Sequence, residues 1–223
     1  GADLRDASLR HAVFRGVDLG GAILRGLDLR EVVFDECLLG EAQLQLAKLD
    51  GVDLRDCELV GVDLGHATLT KAQLEGVGLE NAKLEGADLS GAILDEAYLF
   101  GSDLRGAKLV GVQARELDLR ETKLDEADLS GAQLVSADFR RSSGAGLKLV
   151  GADLTGADLD GVALSGAVLD GATLERASFE KASLPGVRLP GVFLLDADFT
   201  EADLARAVFD QAADYLAQQV QRV

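Results

Sequence analysis

Residues 87–106 read ADLSG AILDE AYLFG SDLRG, and Leu holds the third place of each five-residue unit. Stepping by five from Leu4 to Phe209 gives 42 such central positions, and 40 of them hold Leu or Phe. The exceptions are Ala114 and Gly144. A period of five is neither the 2.0 of a strand nor the 3.6 of a helix, so we interpret it as a structural repeat.

Each unit places a small, a polar and a large residue before a corner. The residue two places before the centre is small or apolar throughout, and the residue between is usually polar, often Asp. This alternation puts the small and large side chains on one side of an extended segment and the polar one on the other. Gly follows the centre by two places in 20 units, where it suits a tight turn. Because such short segments cannot bury a face alone, stacked coils must share one core.

The repeat resembles the pentapeptide-repeat family, with consensus Ala-(Asp/Asn)-Leu-x-x, over residues 1–210. The resemblance implies an all-β fold, a right-handed quadrilateral β-helix of about 10 coils with four units per coil. Residues 20 apart then stack at about 4.8 Å, which makes a rod roughly 50 Å long. We divide the chain into this β-helix, 1–210, and a short C-terminal capping or dimerisation α-helix, 211–223.

The 20-residue stacking makes vertical neighbours of several core residues. Cys37 and Cys57 are expected to face inward one above the other, either as small core residues or at a spacing that permits a disulfide. Two aromatic pairs are expected to stack: Phe14 with Phe34, and Phe179 with Phe199.

The two defects in the repeat are matched by large residues nearby. Leu117 follows Ala114, and Leu147 follows Gly144, each at a place that usually holds a small residue. A packed interior tolerates such volume-conserving exchanges. We expect local irregularity over 140–144, but no inserted loop, because the five-residue register resumes unshifted.

The two ends differ in their capping signals. Asp210 is a good N-cap, and an apolar stripe follows it, which predicts the helix. The stripe is either a lid over the last coil or a dimer contact, and several members of the family dimerise through this end. The candidate dimer contacts are Tyr215, Leu216, Val220, Val223, and the outward-facing Phe193 and Leu195. At the other end, the repeat begins without a polar cap, so we expect a capping segment or domain before Gly1.

Composition and charge limit the classes of function. No apolar run reaches the ~20 residues of a membrane span, and two cysteines make no disulfide framework, so a reducing cytoplasm is the expected location. The net charge of −17 disfavours direct binding of nucleic acid or anionic membrane. It favours a basic protein surface as partner, or only solubility.

The sequence offers no catalytic, metal or cofactor site. His11 and His66 fall at corners 55 residues apart, and neither has a nucleophile at a recognisable spacing. Asp118, Asp138 and Asp158 should form a vertical row, but a flat row cannot supply the six to eight oxygens that Ca²⁺ needs. Arg120 and Arg140 lie beside this row and can neutralise it. We therefore predict that the protein is not an enzyme and binds neither metal nor cofactor.

Acidic residues concentrate in one part of the chain. Residues 31–100 hold 15 acidic and 4 basic side chains, whereas arginines nearly ring the first coil. Tyr98 and Phe100 flank the central Leu99 and should project outward from the acidic belt, where exposed aromatics can anchor a protein partner. The candidate partner-binding residues are Tyr98, Phe100, Glu58, Glu80, Asp118 and Asp138.

Two functions remain open. The acidic branch of the family mimics DNA, binds DNA gyrase and related type II topoisomerases such as topoisomerase IV, and protects them from quinolones or peptide-like poisons. The resemblance therefore implies a DNA mimic, although the unbroken register leaves no room for the loops of the best quinolone-protecting members. The alternative is a generic interaction scaffold or spacer in a larger protein, for example a secretion-associated one.

Overall fold

The backbone winds into four-sided coils of 20 residues each. A computed structural model describes residues 1–209. Two segments are named strands, β1 (Val13–Arg15) and β2 (Val33–Asp35), and they pair in parallel. The other sides pair through isolated parallel bridges between residues 20 positions apart. The described chain is therefore a parallel β-solenoid, which confirms the predicted four units per coil.

Each short side bonds to the coils on both of its edges. Gln43 N–H donates to Ala22 O at 2.8 Å in one neighbouring coil. Leu44 N–H donates to Asp63 O at 2.7 Å in the other. At the corner, Ala47 N–H donates to Leu44 O at 3.0 Å. These repeated bonds satisfy the buried backbone groups although most sides are too short to count as strands.

The corner backbone is imposed by the coil and not by glycine alone. Gly26 has φ of 72°, in the left-handed region that glycine adopts without strain. Leu46, at the same corner of the next coil, has φ of 62° despite its Cβ. The continuous ladder on either side holds this strained conformation in place.

The Leu, Phe and small residues of the repeat fill the interior as predicted. The Phe14 and Phe34 rings stack with centroids 5.7 Å apart, and those of Phe179 and Phe199 stack at 4.7 Å. Both expected aromatic pairs are thus confirmed. The two cysteines, Cys37 and Cys57, are buried free thiols that act as small core residues.

The volume exchange at the two defects is confirmed. Ala114, Leu117 and Leu147 are all fully buried. A Cβ at Gly144 would lie 2.9 Å from Leu164 Cδ2 and 3.2 Å from Leu147 Cβ. Leu147 therefore fills the space that a central Leu at position 144 would take.

The expected irregularity over 140–144 is wrong. Ser143 N–H donates to Thr122 O at 2.9 Å, and Gly144 N–H donates to Ala163 O at 2.9 Å, as in regular coils. The backbone ladder keeps its geometry here because the missing central side chain is replaced from within the same coil.

The predicted C-terminal helix, 211–223, lies outside the described residues, with Tyr215, Leu216, Val220 and Val223. The expectation of a cap before Gly1 remains a prediction. At that end, Leu4 and Leu9 are only partly buried against the core.

Candidate protein-binding site: an acidic face

The coil sorts the charged residues unevenly among its four sides. We call one side the acidic face: the outward positions 18, 38 and on to 198, and the positions 20, 40 and on to 200. It carries nine acidic and two basic side chains, a net charge of −7. The opposite face, 8 to 208 and 10 to 190, carries five acidic and six basic side chains, a net charge of +1. The negative charge is therefore concentrated on one side of the coil.

All six predicted partner-binding residues lie on the acidic face, because their numbers differ by whole coils or by two residues. The corner row beside it adds five exposed carboxylates and one arginine, Arg176, in one column; the carboxylates are Glu36, Asp56, Glu96, Glu116 and Asp196. Sequence reasoning found the acidic belt along the chain but missed this face. Sorting the outward residues by position within each 20-residue coil would have revealed it.

Three carboxylates and two guanidinium groups interleave on the upper part of this face. Arg120 Nη2 lies 2.6 Å from Asp118 Oδ2, and Arg120 Nε lies 3.6 Å from Asp138 Oδ2. Arg140 Nη2 lies 2.5 Å from Asp138 Oδ2, and Arg140 Nε lies 3.4 Å from Asp158 Oδ2. The predicted row of three aspartates is therefore present, and its two arginines neutralise most of its charge.

The aspartates of this row, which we call the aspartate ladder, have pKa values that their surroundings shift in opposite directions. Burial alone would raise the pKa of Asp118, but hydrogen bonds from Arg120 outweigh it and hold the pKa below its usual value. At the end of the ladder, burial raises the pKa of Asp158. Asp118 is only 9% exposed, so it has little surface to offer a partner.

Many aspartates of the repeat also have a structural role that their pattern did not reveal. Asp88 Oδ1 accepts a hydrogen bond from Ser90 N–H at 3.0 Å. Asp118 and Asp138 accept equivalent bonds from the N–H groups two residues later, both at 3.0 Å. This local bond explains the preference for Asp before the central Leu. It makes Asp118 and Asp138 weaker binding candidates than the glutamates.

Glu58 and Tyr98 are the most available of the six. Both are exposed, Tyr98 by 49%, and within the described residues neither side chain makes a hydrogen bond or ion pair. Phe100 lies at an outward position of this face, as expected, but it is half-buried, and the Arg120 guanidinium carbon lies 5.7 Å from its ring centroid. Arg120 covers this ring because it stands one coil above it.

The cavities and histidines of the described residues give no catalytic constellation. A shallow cavity of about 180 Å³ beside Phe100 is lined by Arg120, Glu121, Arg140 and Arg141. His11 and His66 are exposed corner residues, as predicted. Within residues 1–209, no three His, Cys, Asp or Glu side chains converge to hold a metal ion. In the same part of the chain, no helix is long and apolar enough to span a bilayer.

The arginines of the first coil are largely paired. The ion pairs are Arg5 with Asp3, Arg10 with Glu31, Arg15 with Asp35, and Arg30 with Asp28. Hydrogen bonds from Arg5 and Arg30 lower the pKa values of Asp3 and Asp28 to about 2. Of the five arginines at this end, only the exposed Arg25 makes no ion pair within the described residues, so little free basic charge remains here.

Near the other end, Phe193 and Leu195 are 66% and 53% exposed on a side next to the acidic face. Both side chains project outward, as expected, and their role as dimer contacts stays a prediction.

The family described as pentapeptide repeats matches the chain in eight copies, several of which overlap, over residues 1–26, 28–65, 47–86, 57–95, 79–113, 97–141, 148–186 and 177–212. No curated protein matches it significantly.

Several solved structures are similar to the chain. HetL, a pentapeptide repeat protein involved in heterocyst differentiation regulation from the cyanobacterium Nostoc sp. strain PCC 7120, is 31% identical over 94% of this chain and 90% of its own, with a TM-score of 0.43. A trypsin-treated variant of QnrB1, a plasmid-mediated fluoroquinolone resistance protein, is 17% identical over 95% and 97%, with a TM-score of 0.50. A pentapeptide repeat protein from the Arabidopsis thaliana thylakoid lumen is 30% identical over 52% and 67%, with a TM-score of 0.27.

Proposed function

This chain belongs to the pentapeptide-repeat family, and we propose that it is a non-enzymatic, protein-binding right-handed β-helix whose acidic face binds a basic protein surface in place of DNA. The uneven charge carries this proposal: one face holds a net charge of −7 and the opposite face +1. Solubility alone needs charge but no preferred side. A one-sided acidic surface with an exposed tyrosine suits a docked partner.

DNA gyrase, or a related type II topoisomerase such as topoisomerase IV, is the first partner to test. These enzymes bind DNA in basic saddles, and a poison acts on the enzyme while it holds DNA. A mimic that occupies the saddle protects the enzyme, which would give antibiotic or self-resistance. The fluoroquinolone resistance named for QnrB1 supports the choice of gyrase. The unbroken coils of the described residues favour protection from other poisons over quinolones.

The acidic face carries much less negative charge than a DNA duplex of the same length. A duplex of roughly 50 Å carries about 30 phosphates, since there is one charge per ~1.7 Å. Over about the same length, the acidic face carries nine carboxylates and, interspersed with them, two guanidinium groups. Competition with DNA therefore depends on shape and on anchor residues as well as on charge.

Gyrase supercoiling with added protein, with and without a poison, tests this function. We expect binding in a pull-down and restored supercoiling in the presence of a poison. Absence of binding and of any effect at micromolar protein would reject gyrase as the partner. A pull-down with topoisomerase IV then separates a wrong enzyme from a wrong mechanism.

We also propose a homodimer through the C-terminal end, because Phe193 and Leu195 leave an apolar surface there. The apolar stripe of residues 211–223 is its proposed second component. Leu216→Glu with Val220→Glu should then yield monomers in sedimentation. An unchanged mass would reject this stripe as the interface.

A cytoplasmic location fits this partner and is part of the proposal. The second candidate function is an interaction scaffold or spacer within a larger protein, for example a secretion-associated one. The first-coil arginines favour it, since four of the five are paired with carboxylates and leave little free positive charge at that end. The complete reading frame separates the two, because a fused second domain supports the scaffold.

A further inference from the structure

Gly78 is unusual on the acidic face. Of the 42 positions directly before a central Leu or Phe position, it is the one that holds glycine. Its φ lies outside the left-handed region, so the backbone does not require glycine there. A side chain is missing at this position without a conformational reason.

Glu80 takes up the space that Gly78 leaves. A Cβ at position 78 would lie 2.8 Å from Glu80 Oε2 and 3.7 Å from its carboxyl carbon. The Glu80 carboxylate therefore lies toward the stacked positions 18 to 198, the column that contains Glu58 and Tyr98, and away from its own column, positions 20 to 200. Among the described residues, Glu80 Oε2 is shielded from solvent and accepts no hydrogen bond. An oxygen of a carboxylate left in that state is costly, because its hydration is lost without replacement.

Tyr98 follows Gly78 in the same column of the acidic face, one coil further along. The backbones of Gly78 and Tyr98 are bridged in parallel register one coil apart, which corresponds to about 5 Å. The Tyr98 side chain is 49% exposed. A cation that reaches Glu80 across this gap would also meet an aromatic face, which attracts cations.

Within residues 1–209, the acidic face supplies no cation of its own to this place. The basic residue of this face nearest to Glu80 is Arg120, two coils above it. Arg120 is engaged by Asp118 and covers Phe100. Glu80 remains partly exposed as a whole, so rotation about its last side-chain bond can turn Oε2 toward a ligand without moving the backbone.

We propose that Gly78, Glu80 and Tyr98 form a seat for one arginine side chain of the protein partner. The guanidinium group stacks on the Tyr98 ring and donates to Glu80, while Gly78 leaves room for the Glu80 carboxylate beside the Tyr98 column. Arginine suits this seat better than lysine because its planar group combines stacking with paired hydrogen bonds. The seat rests on the proposed function of the acidic face and names the chemical group that this face selects.

The test uses N-acetyl-arginine amide as the probe and N-acetyl-citrulline amide as its uncharged counterpart. Backbone amide NMR shifts of the full chain are followed during each titration. Gly78→Ala keeps the net charge and pushes the Glu80 carboxylate out of the gap. Gly40→Ala is the matched control, since a Cβ there would make only ordinary contacts, 3.5 Å and longer.

We expect saturable arginine shifts centred on residues 78–80 and 98, and weaker shifts with citrulline. Gly78→Ala and Tyr98→Ala should each weaken arginine binding by about fivefold, and Gly40→Ala should not. If Gly78→Ala bound the arginine probe as tightly as the wild type, the proposed seat would be rejected. Chemical shift changes spread evenly over all acidic residues of the chain would also reject it. A wild-type protein that binds gyrase but shows no seat would leave the proposed function standing; one that fills the seat but binds no gyrase would reject only the enzyme.

Discussion

The guanidinium carbon of Arg120 lies 5.7 Å from the centre of the Phe100 ring. This contact makes the two aromatic residues of the acidic face unequal. Phe100 is covered from one side, whereas Tyr98 has no such neighbour among the described residues and is 49% exposed.

We therefore predict that Tyr98→Ala weakens partner binding more than Phe100→Ala does. An exposed aromatic anchor contributes on the order of 2 kcal/mol at the centre of an interface, so the affinity should fall about 30-fold. Binding to immobilised gyrase measures it. A loss in Phe100→Ala equal to that in Tyr98→Ala would place the contact elsewhere on this face.

The aspartate ladder predicts opposite pH effects at its two ends. The pKa of Asp118 is lower in the folded chain, so its ionised form stabilises the fold above the unfolded pKa, and this is lost as pH falls through the folded pKa. The pKa of Asp158 is raised, so its favourable contribution is present below its unfolded pKa and is lost as pH rises through the folded pKa.

Asp118→Asn should therefore lower the urea midpoint at pH 7, and this loss should shrink as pH falls through the lowered pKa of Asp118 in the folded chain. Asp158→Asn should leave the midpoint at pH 7 unchanged or slightly higher, which makes it the matched control. Equal destabilisation by both variants at pH 7 would contradict this description of the ladder.

The compensated defect at Gly144 predicts a rescue. Leu147→Ala should cost about 3 kcal/mol of unfolding free energy, because position 144 has no side chain to fill the cavity. Gly144→Leu should cost about 1–3 kcal/mol by overpacking against Leu164 and Leu147. The double variant restores the ordinary repeat and should lose less than the sum of the two. Additive losses in denaturant titrations would show that Leu147 does not replace the missing centre.

The buried thiols predict slow alkylation. Burial raises the pKa of Cys57 to about 11, so at pH 8 its thiolate is about 100-fold scarcer than at a pKa of 9. In Cys37→Ser, which leaves one thiol, iodoacetamide should react at least that much more slowly with the native protein than with the protein in urea. Similar rates in both states would mean that this part of the core opens readily.

The core was predictable from sequence because one side-chain pattern repeats without interruption. Central residues, the stacking of Phe179 on Phe199, and the exchange at Gly144 all follow from counting in fives and twenties. The site was less predictable, because the same residue type has different roles there. Asp118 pairs with the Arg120 guanidinium group and accepts a hydrogen bond from the Arg120 N–H. Glu58 makes no hydrogen bond or ion pair among the described residues. The sequence pattern does not distinguish these two carboxylates, whereas the three-dimensional structure does. The position of the Glu80 carboxylate depends on the absence of a side chain at Gly78. Counting charges along the sequence does not reveal this effect.

We expect the acidic face, and not the total charge of the chain, to determine binding of the partner. The most direct test is the affinity for gyrase of two variants with the same net charge: Glu58→Gln with Glu80→Gln on the acidic face, and Asp88→Asn with Asp128→Asn on the opposite face. We expect the first pair of substitutions to weaken binding at least about tenfold and the second pair to leave the affinity within about twofold. Equal losses in both variants, or no loss in the first, would contradict it.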